Sequence, residues 1–148
     1  MKKLVFLMFA FIIANSGQAQ VGKEFSNKYS GSEGVRITYI SSGIFDMMGQ
    51  EIKDAQFGNI SLESFQGMSV IDCDDSATIK RIKKDIDLKI QNEYVLLIEN
   101  KEDDKCTRIY RTKTKKRTDT IELIVITEEP EDINIVFIDA ASMKKSKK

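Results

Sequence analysis

The sequence predicts an α+β fold: a mostly antiparallel sheet that ends in a four-stranded meander, with helices mainly on one face. The meander is predicted by four apolar, β-branched segments in the last third of the chain, at residues 93–100, 106–113, 120–127 and 133–139. Three charged turns, 101–105, 115–119 and 128–132, connect them. Connections this short join antiparallel neighbours, because a parallel crossover needs a dozen residues or more.

The principal helix is predicted upstream of the meander, over residues 75–91. Its apolar residues follow the spacing of an amphipathic helix: Ile79, Ile82, Ile86 and Ile90. Most of the lysines and arginines in this segment lie off that stripe. The stripe therefore predicts a helix that packs against the sheet.

The first half of the chain predicts shorter elements. Apolar residues at 21, 25 and 29 share one helix face, and the glycine-containing segment 30–34 breaks that helix. Residues 35–40 alternate as in a strand, 41–49 form a serine-capped short helix, and 68–73 form the next strand. Ile60, Leu62 and Phe65 suggest a second short helix within 50–67. The strand–helix–strand start suggests a ferredoxin-like arrangement and leaves the strand order open.

The N-terminus predicts export. Residues 1–19 combine two lysines, an apolar run from Leu4 to Ala14 and small residues before a cut at Gln20, which is the pattern of a secretory signal peptide. The alternative, an N-terminal membrane anchor, fits the short run less well. Without a cysteine near the cut, a lipoprotein anchor is not expected. We expect a single domain at 20–140, a basic tail at 141–148, no transmembrane span, and a periplasmic or secreted location.

The segment 69–80, SVIDCDDSATIK, poses the clearest question about chemistry. Asp74 or Asp75 stands where a helix N-cap is expected. A calcium loop would need alternating oxygen ligands, a turn glycine and a distal glutamate, which this segment lacks. A zinc site is disfavoured because the chain has two cysteines and no histidine. The segment therefore predicts a strand end and a helix cap, with no metal ion.

Cys73 and Cys106 are the two cysteines of the chain, and an exported protein can join such a pair in a disulfide. The bond requires Cα atoms within about 7 Å, which the sequence does not establish. The alternative is two separate thiols, with Cys73 buried and Cys106 partly exposed at its turn. Both readings stay open at this point.

Catalytic motifs are absent from the sequence. It contains no histidine, nucleophile elbow, phosphate-binding loop or dinucleotide fingerprint, and no cofactor is predicted. The balanced charge, which becomes −2 after loss of residues 1–19, and the predicted export argue against nucleic acid as a partner. The leading hypothesis is a non-enzymatic binding or interaction module of the envelope. Alternatives are a small hydrolase with an unidentified carboxylate site, or a regulatory accessory of an envelope-stress or surface system.

Several predicted strands are apolar on both faces, whereas a sheet with helices on one side and water on the other should alternate. This pattern predicts that another part of the chain, a second copy or an envelope protein covers the second face. The candidate interface residues are Val95, Leu97, Leu123, Ile126 and Val136.

Several short motifs along the chain resemble those of the DUF4252 family, a domain of unknown function in small exported proteins of Bacteroidota. They are Tyr29 to Val35, the lysine-rich helix 75–91, Tyr94 to Leu97, Arg108 to Tyr110, and Ile121 to Leu123. The resemblance covers most of the predicted mature chain. It implies a fold and an envelope location, and it implies no catalytic residue.

Overall fold

The computed structural model describes residues 21–47, 56–57, 60–61, 65–113 and 120–141. The helices are α1 (Val21–Tyr29), α2 (Gly43–Met47) and α3 (Ser76–Glu93). The strands are β1 (Val35–Ser41), β2 (Gln56–Phe57), β3 (Ile60–Ser61), β4 (Phe65–Cys73), β5 (Tyr94–Glu102), β6 (Lys105–Thr112), β7 (Thr120–Glu128) and β8 (Ile133–Ala141).

Six strands form one antiparallel sheet in the order β1-β4-β8-β7-β6-β5, and β2 pairs with β3 separately. The predicted meander is β5 to β8, and its last strand returns to pair with β4. Helix α3 carries the chain from β4 to β5 at the far edge of the sheet. The α+β prediction is confirmed, while the ferredoxin-like arrangement stays a prediction.

The hydrophobic core lies between the helices and one face of the sheet. Its buried members come from α1, α3 and four strands: Val21, Phe25, Tyr29, Ile71, Cys73, Ile82, Ile86, Tyr94, Ile124, Ile126, Ile133, Ile135 and Phe137. The predicted stripe on α3 is confirmed, because Ile82 and Ile86 are buried and Ile79 and Ile90 pack against the core. None of the helices in the described residues is long and apolar enough to cross a membrane.

Helix α1 lies very close to β8. A Cβ atom added at Gly22 would stand 2.6 Å from Cβ of Phe137, so only glycine fits there without a shift. Phe25 also stacks on Phe137, with ring centroids 5.7 Å apart. Across the helix layer, Lys28 and Tyr29 both bond Asp85 of α3, and the lysine contact is 2.5 Å. These contacts fix α1 over the centre of the sheet.

The start of α3 shows which aspartate of the segment 69–80 caps the helix. Asp75 is the N-cap, and its side chain accepts hydrogen bonds from the amide and hydroxyl of Thr78 at 2.9 and 2.8 Å. These bonds lower the pKa of Asp75. Gly34, with φ at +73°, brings the preceding turn against this cap, where a Cβ atom would lie 2.7 Å from the Asp75 backbone nitrogen. The cap prediction is therefore confirmed at Asp75.

Other boundaries shift by a few residues, and one element prediction is wrong. Ile60 lies in β3 and Phe65 begins β4, so the described parts of 50–67 are strands where a short helix was expected. β8 extends through Ala141, into the segment expected as a tail. The predicted signal peptide at 1–19, the turn at 115–119 and the rest of the tail at 142–148 lie outside the described residues.

Candidate functional site

The face of the sheet opposite the helices, here called the second face, carries most of the apolar side chains that remain outside the core. Cross-strand register arranges them in rows that run from β4 to β5. The Leu123 row consists of Met68, Ile138, Leu123, Arg111 and Val95. The Val125 row consists of Val70, Val136, Val125, Ile109 and Ile98. Their central members are half-buried, and the two β5 residues are exposed.

A polar row borders this apolar surface on one side. It consists of Asp72, Asn134, Thr127, Thr107 and Asn100. Within it the Asn134 side-chain amide donates to the Asp72 carboxylate at 2.5 Å. The second face therefore has an apolar middle and a polar margin, the arrangement that interfaces of folded proteins show.

Arg111 is the charged residue in the middle of the apolar rows, flanked by Leu123 and Val95. Its Nε is buried and, in the part of the chain that the structure describes, finds no hydrogen-bond acceptor. Burying such a donor without a partner costs free energy, although the Arg111 side chain as a whole is only half-buried. The signal in the sequence is a basic residue in phase with Ile109, which the interface prediction did not include.

The five predicted interface residues separate in the structure. Leu123 and Val136 lie half-buried in the middle of the second face. Val95 and Leu97 lie on the edge strand β5 and are 42% and 49% exposed, with Leu97 at a break in register against β6. Ile126 is only 3% exposed and belongs to the core, because it shares the phase of Ile124. It is not available to a partner.

A buried carboxyl pair lies in the core, beneath the start of α1. Glu122 and Asp139 are cross-strand neighbours on β7 and β8, and Glu122 is 7% exposed. The Tyr94 hydroxyl donates to Glu122 Oε1 at 2.5 Å, and the Val21 amide also bonds this carboxyl. Burial, together with the neighbouring Asp139, raises the pKa of Glu122 to about 8. Burial also raises the pKa values of Asp139 and Tyr94.

This pair has the buried carboxyl that an enzyme could use, yet it faces the packed core. A groove of about 460 Å³ between α1 and α3 lies elsewhere, lined by charged and apolar side chains that include Phe25, Lys28, Asp85 and Leu88. Neither Glu122 nor Asp139 lines that groove. A substrate in the groove would therefore not reach Glu122 and Asp139, the carboxyls whose pKa values are raised.

From the sequence, Glu122 was noted only as part of the motif Ile121 to Leu123, and its burial was not predicted, although a signal was present. In the segment TIELIVIT, Glu122 has the same strand phase as Ile124 and Ile126. If those isoleucines face the core, the carboxyl of Glu122 faces it too. The described residues contain no cluster of three or more cysteine and acidic side chains arranged to hold a metal ion.

Of the two possibilities left open for the cysteines, separate thiols fit their positions and a disulfide does not. Both are free thiols, with Cys73 buried and Cys106 half-buried. They occupy one cross-strand row with Ile133 and Glu128 between them, so three strand spacings separate them. At about 4.8 Å per spacing the distance is about 14 Å, twice the reach of a disulfide. Burial, which is the largest effect, raises the pKa of the Cys73 thiol, the opposite of a reactive redox cysteine.

Comparison with protein families identifies the chain at the family level. A family model described as a domain of unknown function (DUF4252) matches residues 29–147. Comparisons with curated proteins and with solved structures gave no match. The matched segment includes α3 and all six strands of the large sheet, which is most of the chain. The chain therefore belongs to the DUF4252 family.

Proposed function

We propose that this protein is an exported, non-enzymatic interaction module of the cell envelope, which associates with another protein chain through its second face. The observation that supports this function is the apolar middle of that face. The other face of the sheet buries its apolar residues beneath α1 and α3. On the second face the Leu123 and Val125 rows remain half-buried or exposed.

The apolar surface extends across most of the width of the sheet. The two rows cross five strands, which at about 4.8 Å per spacing gives a width of about 19 Å between the outermost strand axes. Proteins usually use contiguous apolar patches of several hundred Å² for binding. The flat shape of a sheet face suits a protein partner better than a small molecule, which needs a concave site.

The geometry supports the alternatives less well. A hydrolase would need a carboxyl that a substrate can reach, and Glu122 and Asp139 lie under the helices, away from the groove between α1 and α3. A regulatory role in an envelope-stress or surface system is compatible with an interaction module and would depend on the identity of the partner.

Site-specific photocrosslinking tests this function in cells that produce the full-length protein. A photocrosslinking phenylalanine analogue replaces Leu123 on the second face in one variant and Leu88 in the matched control. Leu88 is an apolar residue of α3 that is 57% exposed, on the opposite side of the molecule. We expect a protein adduct at position 123 and none at position 88.

Two results would contradict the proposal. Equal labelling at both positions would mean that contacts at the second face are nonspecific. No adduct at position 123, from a variant that accumulates and folds normally, would mean that no other chain covers this face. Mass spectrometry of the N-terminus in the same preparation tests export: a peptide from residues 4–14 in the accumulated protein would contradict it.

A further inference from the structure

The buried carboxyl pair, Glu122 and Asp139, lies directly beneath the start of α1. Glu122 is 7% exposed, and the backbone amide of Val21, the first residue of α1, bonds its carboxyl. Val21 is itself buried, and Gly22 packs against Phe137, two residues before Asp139 on β8. The first turn of α1 therefore lies on the carboxyl pair.

The pair carries a negative charge at neutral pH. Two carboxyls in contact lose their protons one after the other, and Glu122 keeps its proton to about pH 8, so the charge lies on Asp139. In the described part of the chain, no lysine or arginine forms an ion pair with either carboxyl. Burial disfavours the charged form of Asp139 and raises its pKa, so a cation beside it would stabilise it.

The predicted cut between Ala19 and Gln20 creates a positive charge at this place. In the precursor an uncharged peptide bond joins these two residues, whereas the processed chain begins with the α-ammonium group of Gln20. Consecutive backbone nitrogens are at most about 3.7 Å apart. The Val21 amide is within about 3.2 Å of the carboxyl oxygen of Glu122 that it bonds. The α-nitrogen therefore lies within about 7 Å of that oxygen in any conformation of Gln20.

A positive charge at this end of α1 needs a counter-charge, because the free amides of the first turn and the helix dipole make a helix N-terminus partly positive. The carboxylate of Asp139 supplies one. We propose that the α-ammonium group created by removal of residues 1–19 binds the buried carboxyl pair, with Asp139 as its ionised partner and Glu122 as the protonated neighbour. This inference goes beyond the interaction through the second face and rests only on the export part of the proposed function.

This ion pair links processing to the stability of the fold. The precursor lacks the ammonium group, so Asp139 gains its partner only when the signal peptide is removed, and the processed chain is the more stable of the two. Cyclisation of Gln20 has the opposite effect. Its α-nitrogen attacks the side-chain amide carbon, ammonia leaves, and the nitrogen of the resulting lactam carries no charge. The cyclised and uncyclised forms of the processed chain therefore differ chiefly in this one charge.

Other ionisable groups around the pair are the same in these two forms. Tyr94 of β5 faces the pair, and the charge of Glu93, at the end of α3, acts on Tyr94. Lys23 and Glu24 of α1 are exposed, and the described residue of β4 that pairs with β8 at this level is Gly67. Because both forms contain all of these groups, their titration cancels in the difference between the forms.

Titration of the α-amino group in the processed chain tests the inference. Cells that export the full-length protein supply this chain, and mass spectrometry of the N-terminal peptide establishes where it begins. Acylation by acetic anhydride at a series of pH values then gives the pKa of the amine in the folded protein and in urea. We expect about 7.7–8.0 in urea and a value at least about one unit higher in the folded protein, because a neighbouring carboxylate favours the charged form. The midpoint is compared, since shielding slows acylation at every pH.

A thermodynamic cycle identifies the partner of the ammonium group. Thermal unfolding is measured for the uncyclised chain and for the chain cyclised by glutaminyl cyclase, each as wild type and as Asp139→Asn. At about pH 6.5 we expect the uncyclised wild type to unfold about 3–6 °C above the cyclised form, and the difference to fall below about 1 °C in Asp139→Asn. Asp132→Asn, in the exposed turn before β8, is the control and should keep the full difference.

The difference between the two forms should also depend on pH. The pKa of the α-amino group is expected to be higher in the folded than in the unfolded chain. Its contribution to stability is therefore complete below about pH 7 and is lost as the pH rises through the folded value. We expect no difference between the uncyclised and cyclised wild type by about pH 10.5.

Three results would overturn the inference: a processed chain that begins at a residue other than Gln20, an ordinary amine pKa in the folded protein, or equal differences between the two forms in the wild type and in Asp139→Asn. If Asp139→Asn does not fold, the amine titration of the wild type decides alone. An uncleaved chain would reject export as well. A processed chain with an ordinary amine would reject only this inference, because export would stand and crosslinking at position 123 tests the second face independently.

Discussion

Glu122→Gln should make the protein more stable at neutral and alkaline pH and should reduce the pH dependence of its stability. Glutamine has nearly the same shape as glutamate, and its amide oxygen can still accept the hydrogen bond from the Tyr94 hydroxyl. Its amide group can donate to the neighbouring Asp139. The substitution therefore keeps the packing and removes a buried group that ionises.

The size of this effect follows from the difference between the pKa of Glu122 in the folded protein and its pKa in the unfolded chain. In the unfolded chain Glu122 loses its proton near pH 4.5, whereas in the folded protein burial keeps the proton until about pH 8. Between these values the folded state binds more protons than the unfolded state, so the free energy of unfolding falls as pH rises. At about 1.4 kcal/mol per pH unit, the wild type loses about 3 kcal/mol between pH 4.5 and 7. The raised pKa of Asp139 adds to this loss in the same direction.

Urea unfolding at a series of pH values from 5 to 8, followed by far-ultraviolet circular dichroism, measures this effect. Carboxyl groups with lowered pKa values, such as Asp85, complete their ionisation below this range and do not obscure it. Tyr94→Phe is the matched control: it removes a hydrogen bond that lowers the pKa of Glu122, so the decline should start at the same pH and continue to higher pH than in the wild type, and for this comparison the series is extended above pH 8. Parallel pH profiles for the wild type and Glu122→Gln would refute the reasoning.

Three further predictions concern packing, capping and the thiols. Gly22→Ala should lower the free energy of unfolding by about 1–3 kcal/mol despite the better helix propensity of alanine, because its Cβ atom would clash with Phe137; chemical denaturation measures this. Asp75→Ala should lower the midpoint of thermal unfolding by about 3–5 °C, since α3 loses its N-cap, and calorimetry that finds no decrease would contradict this. Alkylation of the unfolded, unreduced chain should label both cysteines, and in the folded protein Cys106 should react well before the buried Cys73.

The sequence predicted the elements whose periodicity is regular. The spacing of isoleucines on α3 reports which side chains face the core, and it continues over several turns. The strands β5 to β8 were predictable because each is an apolar, β-branched segment bounded by charged turns. The N-cap was predictable because Asp75 precedes the first turn of α3. The segment 50–67 was mispredicted because three apolar residues are too few to distinguish a helix from short strands.

Strand order could not be read from local patterns. Pairing of β4 with β8 joins residues 60 or more positions apart, and no turn residue specifies it. The position of the two cysteines depends on that order, so the sequence left open whether they form a disulfide or stay separate thiols. Ile126 was assigned to the wrong face because the interface set combined residues of both phases of β7. Leu123, which has the opposite phase on β7, lies on the second face, where its side chain is half-buried.

The polar row indicates that the sheet does not need apolar residues on its second face in order to form. Asp72, Asn134, Thr127 and Thr107 occupy β4, β8, β7 and β6, the strands that carry the apolar rows, and face the same way. These strands therefore accept polar side chains on the second face without loss of the sheet. If that face met only water, polar residues could occupy all three rows, and the protein would avoid the aggregation hazard of an exposed apolar patch. Confinement of the apolar residues to a bounded area is instead what we expect of the binding surface proposed above.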